Sequence, residues 1–296
     1  MALSCWQTVV YRIDLSQYPD IQNQRDLPMK HLTSIYRYPI KSSMPVSLQE
    51  SVVDKRGLEF DRLWCIFDKN HQALTAREYP QILDIEASVS EQELLVRYRN
   101  KSIGNIPLQI PSTDPKAVKI FDYDSQAVTT SDSLNIWISD LLGTDCQILF
   151  QHQSFKRQVL EKHGGATGDV VGFADQCPIL LTTEASLADL NSRMKQPIGM
   201  NRFRPNLVIK GSAAWDEDHW QLIKIGNCEF KVNQPCIRCV LTTIDPVTKL
   251  KDPDTEPLRT MGTFRKGPAG GVVFGMHITA VNGGMVKLDD TVEILK

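Results

Sequence analysis

Apolar and polar residues alternate with period two along much of this 296-residue chain, the pattern of strands with one buried face. Ile106, Leu108 and Ile110 alternate with polar neighbours, and so do Cys228, Phe230 and Val232 against Glu229 and Lys231. Trp64-Cys65-Ile66-Phe67 is a short apolar run that enters the turn Asp68-Lys69-Asn70. Gly226-Asn227 between Leu222–Ile225 and Cys228–Val232 is a two-residue hairpin signature. Val286–Leu288 and Val292–Ile294 around Asp289-Asp290 read as a second hairpin. Many short strands separated by turn residues predict a mainly β protein of barrels with a few helices.

Two segments depart from period two. Ser131 caps a stretch in which Leu134, Trp137, Ile138 and Leu141 fall on one helical face, and Gly143 ends it. A second helix is predicted to start at Thr183, with Glu184 in its first turn, to bury Leu187, Leu190 and Met194, and to stop before Pro197. Gln151 to Gly168 is polar and glycine-containing, so a domain boundary is expected there: 29–150, then 151–296. Residues 1–28 fit either an extension outside the main fold or one edge strand, Thr8 to Ile13. Gly267-Pro268-Ala269-Gly270-Gly271 is a turn and lacks the Lys-Ser/Thr pair of a phosphate loop.

Composition narrows the function classes. With 33 Lys+Arg against 35 Asp+Glu the formal charge is −2, which excludes a broad nucleic-acid surface but not a local arginine cluster for a small anion. No apolar segment is long enough to span a bilayer, and no basic-then-apolar leader opens the chain, so no membrane association is expected. Seven scattered cysteines point to a reducing compartment, with the cytoplasm as the expected location.

Cys236-Ile237-Arg238-Cys239 is the most suggestive local element. Zinc would require two further soft ligands at regular spacing, and they are missing. A thioredoxin-like couple requires a strand-to-helix context, whereas both flanks read as β. Two readings stay open: a single thiolate beside Arg238 acting as ligand to a soft metal, or two strand cysteines without a role. Phe203-Arg204-Pro205-Asn206 places an arginine and an amide just before the apolar run Leu207-Val208-Ile209. In the first half, Lys41-Ser42, Arg62 and Thr75-Ala76-Arg77 set cations beside apolar residues. Singly these are solvated charges; gathered, they suit a phosphate.

Together, Lys41-Ser42, Arg62, Thr75-Ala76-Arg77, Arg204-Pro205-Asn206 and Arg238-Cys239 with Leu241-Thr242-Thr243-Ile244-Asp245-Pro246 resemble the MOSC (molybdenum cofactor sulfurase C-terminal) proteins. The likeness runs from about Met29 to Leu295 and points within that family to the bacterial YcbX-type proteins and the mitochondrial amidoxime-reducing components. It implies an N-terminal β-barrel domain followed by a MOSC β-barrel domain. It also implies a molybdenum cofactor, molybdenum on a molybdopterin, with the metal held by the Cys239 thiolate. Lys41, Ser42, Arg62, Arg77, Arg204, Asn206 and Arg238 would contact the pterin or its phosphate, together with an Asp-containing turn at Asp175-Gln176; Asp175 is also a catalytic candidate. Ser43 after Ser42, and Cys177 where some relatives have serine, depart from the family pattern. The implied activity is reduction of small N-hydroxylated compounds such as hydroxylamines, amidoximes and N-hydroxylated bases. The alternative is a cofactor-sulfurating, sulfur-carrying or pterin-binding protein that uses the same cysteine as a persulfide carrier.

A reductase requires electrons. The cysteines outside the motif (Cys5, Cys65, Cys146, Cys177, Cys228) are too far apart for a plant-type iron–sulfur spacing, and no GxGxxG follows a strand. No fused ferredoxin domain is therefore expected. A separate ferredoxin-, flavodoxin- or flavoprotein-type donor is, docking through the basic Lys156–Lys162 stretch.

Overall fold

The computed structural model describes residues 29–296 apart from Ser112, Pro268 and Ala269, so the alternatives for residues 1–28 lie outside the described residues. Strands dominate, as the alternation predicts. An eight-stranded sheet runs in the order Val46–Leu48, His31–Arg37, Leu207–Lys210, Ile179–Thr183, Val273–Ala280, Cys228–Ile237, Leu222–Ile225 and Val292–Ile294. Its far end returns to its beginning: His31 bridges Thr291, and the Val292 amide donates to Lys30 O at 2.8 Å. This curls the sheet around a core that includes Leu32, Ile35, Ile179, Leu181, Phe230 and Ile278. Gly275 sits at φ +73°, where a Cβ would lie 2.6 Å from Leu181 O, so only glycine lets these neighbouring strands approach.

The first half adds a five-stranded sheet, Lys116–Ile120, Tyr123–Thr129, Cys146–Phe150, Trp64–Asp68 and Ala73–Leu74, and a meander of Ile85–Val89, Glu93–Tyr98 and Lys101–Pro107. The helix Asp132–Leu142 covers the core between them with Leu134 and Ile138. Ser131 caps it and Gly143, at φ +67°, ends it, as predicted. The second helix, Glu184–Ser192, starts from the Thr183 cap and buries Leu190. Gly226-Asn227 makes the predicted hairpin, pairing Ile225 with Cys228.

Two expectations are corrected. The segments around Asp289-Asp290 do not pair with each other: Gly284–Lys287 pairs with Glu50–Asp54, and Val292–Ile294 with Leu222–Ile225. An adjacent pair of alternating segments looks the same whether the strands turn back on each other or part company. The flank after Cys239 is a 3₁₀ turn, Val240–Thr243, rather than a strand. Chain order and sheet membership also differ, because His31–Arg37 and Val46–Leu48, at the start of the chain, belong to the sheet built mainly from residues after 178.

Candidate functional site

Where the two halves meet, a cavity of about 440 Å³ is walled by both. All ten residues singled out from the sequence stand on it: Lys41, Ser42, Arg62, Arg77, Asp175, Gln176, Arg204, Asn206, Arg238 and Cys239. Local backbone explains the placement of several. Ser42, Arg62 and Arg204 take positive φ (+71°, +51° and +54°), which turns each out of the line of its neighbours. Asn206 stands just ahead of Leu207–Lys210 and is fully buried. It donates from Nδ2 to Tyr36 O at 3.0 Å and accepts at Oδ1 from the Leu180 amide and from Arg62 Nη1. Tyr38 is wedged between two guanidinium groups, Arg62 at 4.4 Å and Arg204 at 4.2 Å from its ring centre.

At one end, Asp175 binds both Lys41 Nζ and Arg77 Nη2, the latter at 2.8 Å. Lys41 also donates to Phe173 O at 2.8 Å. Burial works against the Asp175 carboxylate, but Lys41 and Arg77 outweigh it and hold the group well below the usual carboxylate range. Asp175 is therefore an ionised acceptor that organises cations, and an anion held this firmly is a poor source of protons. Phe121 forms a shelf beneath these cations, 4.4 Å from the Arg77 guanidinium and 5.5 Å from Lys41 Nζ.

The two cysteines of the motif have different partners, and the pairing is not the one expected. Arg238 does not hold Cys239: its Nη1 lies 2.8 Å from the sulfur of Cys236, and its Nη2 donates to Phe203 O. Cys239 is held from the other half of the chain by Arg77 Nε, 3.2 Å from its sulfur. Burial would push the Cys236 thiol up, but Arg238 and His277 outweigh it and bring it down to about 7. Cys239 is part-exposed and opens the Val240–Thr243 turn, where its carbonyl accepts from the Thr242 amide and hydroxyl.

Six cationic side chains and two carboxylates line the cavity, and not all of the cationic capacity is used. Arg204 Nη2, Arg238 Nε and His277 Nδ1 are buried polar atoms without a partner among the described residues. Burial lowers the Arg204 guanidinium to about 10, the mark of a cation short of compensating charge. Among the described residues no three His, Cys, Asp or Glu side chains gather as a metal-binding set. The cationic lining and its unused donors suit an anionic organic group, and the volume falls in the ~300–1,000 Å³ range of small-molecule sites.

Sequence reading missed Phe121, Tyr123 and Arg202 on the wall, and His277, one of six histidines without a spacing signal, also stands there. The available signal was two aromatic residues at the turn between alternating strands, Phe121-Asp122-Tyr123, where polar residues are usual. The basic Lys156–Lys162 stretch is also less of a surface than expected. Arg157 turns inward and donates to Gly172 O at 2.7 Å, leaving Lys156 and Lys162 exposed.

Comparison with known proteins finds two family models along the chain. A MOSC N-terminal beta barrel domain model fits residues 29–145, and a MOSC domain model fits residues 168–293. The chain belongs to the MOSC-domain proteins that carry this N-terminal barrel. Its relatives include mitochondrial amidoxime-reducing component 1 of Mus musculus, 29% identical over 89% of this chain and 82% of the relative. Mitochondrial amidoxime reducing component 2 of Homo sapiens is 31% identical over 79% of this chain and 72% of the relative, and that of Bos taurus is 29% identical over 88% and 82%.

Proposed function

We propose that the chain is a molybdenum-cofactor-dependent reductase of small N-hydroxylated compounds. Cys239 would be the single protein ligand to the metal. Lys41, Ser42, Arg62 and Arg77 from the first half and Arg204, Asn206 and Arg238 from the second would hold the pterin and its phosphate, together with the Asp175-Gln176 turn. The bound cofactor would supply a centre that cycles between oxidation states and passes electrons to the N–O bond. The protein's share is orientation and charge. Asp175 keeps Lys41 and Arg77 in register, and Arg77 in turn fixes the Cys239 sulfur. Tyr38 presents its ring to both Arg62 and Arg204.

The observation that carries this reading is a part-exposed thiol on the wall of a cation-lined cavity whose buried donors lack partners. Its relatives' names, amidoxime-reducing components, support the substrate class. A second reading, a persulfide carrier that uses the part-exposed Cys239, would copurify without stoichiometric molybdenum. The reductase reading predicts that the purified chain reduces a hydroxylamine with a viologen donor and is inert with NADH or NADPH alone. Turnover with the nicotinamides alone would contradict the separate-donor part, and no turnover with either would contradict the reading itself.

A further inference from the structure

Reduction of a hydroxylamine consumes two electrons and two protons: R–NH–OH becomes R–NH2 and water. One of these protons joins the departing hydroxyl oxygen. Asp175 is locked as an anion between Lys41 and Arg77, and the Lys41 ammonium is committed to Phe173 O and Asp175. A different wall residue stands ready. We propose, on the reductase reading above, that Tyr123 donates the proton to the departing hydroxyl and that His163 is the positioning residue behind it.

Three contacts fix the direction of this pair. Gln234 Nε2 lies 3.1 Å from His163 Nδ1 and 3.2 Å from Gln176 Oε1, itself on the cavity wall. An amide nitrogen only donates, so Nδ1 is the accepting nitrogen and the ring proton sits on Nε2. Nε2 is 2.8 Å from Tyr123 Oη. The phenol oxygen therefore accepts from the histidine, and its own proton is free for the cavity that Tyr123 lines. His163 is 9% exposed, and burial with Lys162 and His277 nearby holds it below the usual histidine range, which keeps the ring neutral. The Arg157 guanidinium stands 5.7 Å from the Tyr123 ring centre and Lys162 Nζ 5.4 Å from it. Arg157 Nη1 also reaches Asp175 O at 3.4 Å, which ties Tyr123 to the end of the cavity where Arg77 meets Cys239.

The N–O bond breaks with two electrons that originate from the separate donor protein, as two one-electron deliveries or one pair. The Tyr123 O–H bond breaks, and its proton joins the hydroxyl oxygen to make water. The nitrogen takes its proton from solvent, and the phenolate is reprotonated from water. The groups facing His163 are Tyr123, Cys177, Arg157, Lys162, Gln234 and His277.

Tyr123→Phe should lower kcat about 100-fold, the lower end of general-acid contributions, with KM within about twofold and molybdenum and pterin content unchanged. His163→Gln, which keeps a donor, should retain about tenfold more turnover than His163→Leu. Nitrogen NMR of the wild type should find the His163 proton on Nε2, independently of turnover. Full turnover in cofactor-replete Tyr123→Phe, or a His163 proton on Nδ1, would overturn the proposal. A wild type that reduces no hydroxylamine would instead overturn the reductase reading, and this inference with it.

Discussion

Arg204 shows at the scale of a single residue what the cavity is for. Its Nη1 donates to Ser43 O at 2.8 Å, but Nη2 is buried without a partner and burial brings the guanidinium down to about 10. A lowered cation pKa means that the charged form costs stability throughout the neutral range. Arg204→Met should therefore leave the cofactor-free protein as stable or more so, while cofactor retention weakens by the ~1.5–3 kcal/mol of a charge-assisted contact. Denaturant midpoints and pterin content of the same preparation check both halves. Asp175 has the opposite sign: its folded pKa is depressed, so its contribution is complete above about pH 4 and is lost as the pH falls further. Asp175→Asn should cost about 1–2 kcal/mol at pH 7, allowing for screening of a side chain that is 43% exposed, and the gap should close toward pH 2. Urea titrations at the two pH values measure it. The ten candidate residues were legible because separated motifs kept a family's order; taken singly, each reads as a solvated strand end. Which arginine meets which cysteine was not legible, since Arg77 and Cys239 lie 162 residues apart.

Among the elements, the short segment Val170–Phe173 is the clearest link between backbone and site. The Phe173 amide donates to Arg62 O at 2.7 Å, and a Cβ on Gly172 would come within 2.8 Å of that same oxygen. Both atoms belong to backbone, so the clash cannot be relieved by a rotamer change. Gly172→Ala should displace Arg62 from Asn206 and lower cofactor content several-fold while far-ultraviolet circular dichroism stays that of the wild type. Content equal to wild type would show that the segment has slack. Period-two alternation and helix caps identified the elements whose signals are local: the Ser131 and Thr183 caps and the Gly226-Asn227 turn all appear where they were read. The Asp289-Asp290 segments failed because partner choice is a tertiary matter, decided here by Glu50–Asp54 and Leu222–Ile225.

On the scale of the whole molecule, the two halves are joined by shared sheet as well as by a shared cavity. His31–Arg37 pairs with Leu207–Lys210, and Glu50–Asp54 with Gly284–Lys287. A fragment of residues 151–296 would expose those edges and remove Leu32 and Ile35 from its core. It should show no cooperative thermal unfolding alone and should recover it when coexpressed with residues 29–150. Cooperative melting of the fragment by itself would show that the C-terminal strands suffice. The division near residue 150 was read from composition, which records where the chain is polar and not which sheet a strand joins. The account turns on one thiolate, Cys239, inside a cavity built by both halves, and the most direct test is molybdenum and pterin per chain in purified wild type, Cys239→Ser and Cys236→Ser. A serine hydroxyl is a much poorer soft-metal ligand than a thiolate. The account predicts near-stoichiometric molybdenum in the wild type, almost none in Cys239→Ser, and a substantial part retained in Cys236→Ser; equal loss in both variants, or molybdenum retained in Cys239→Ser, would contradict it.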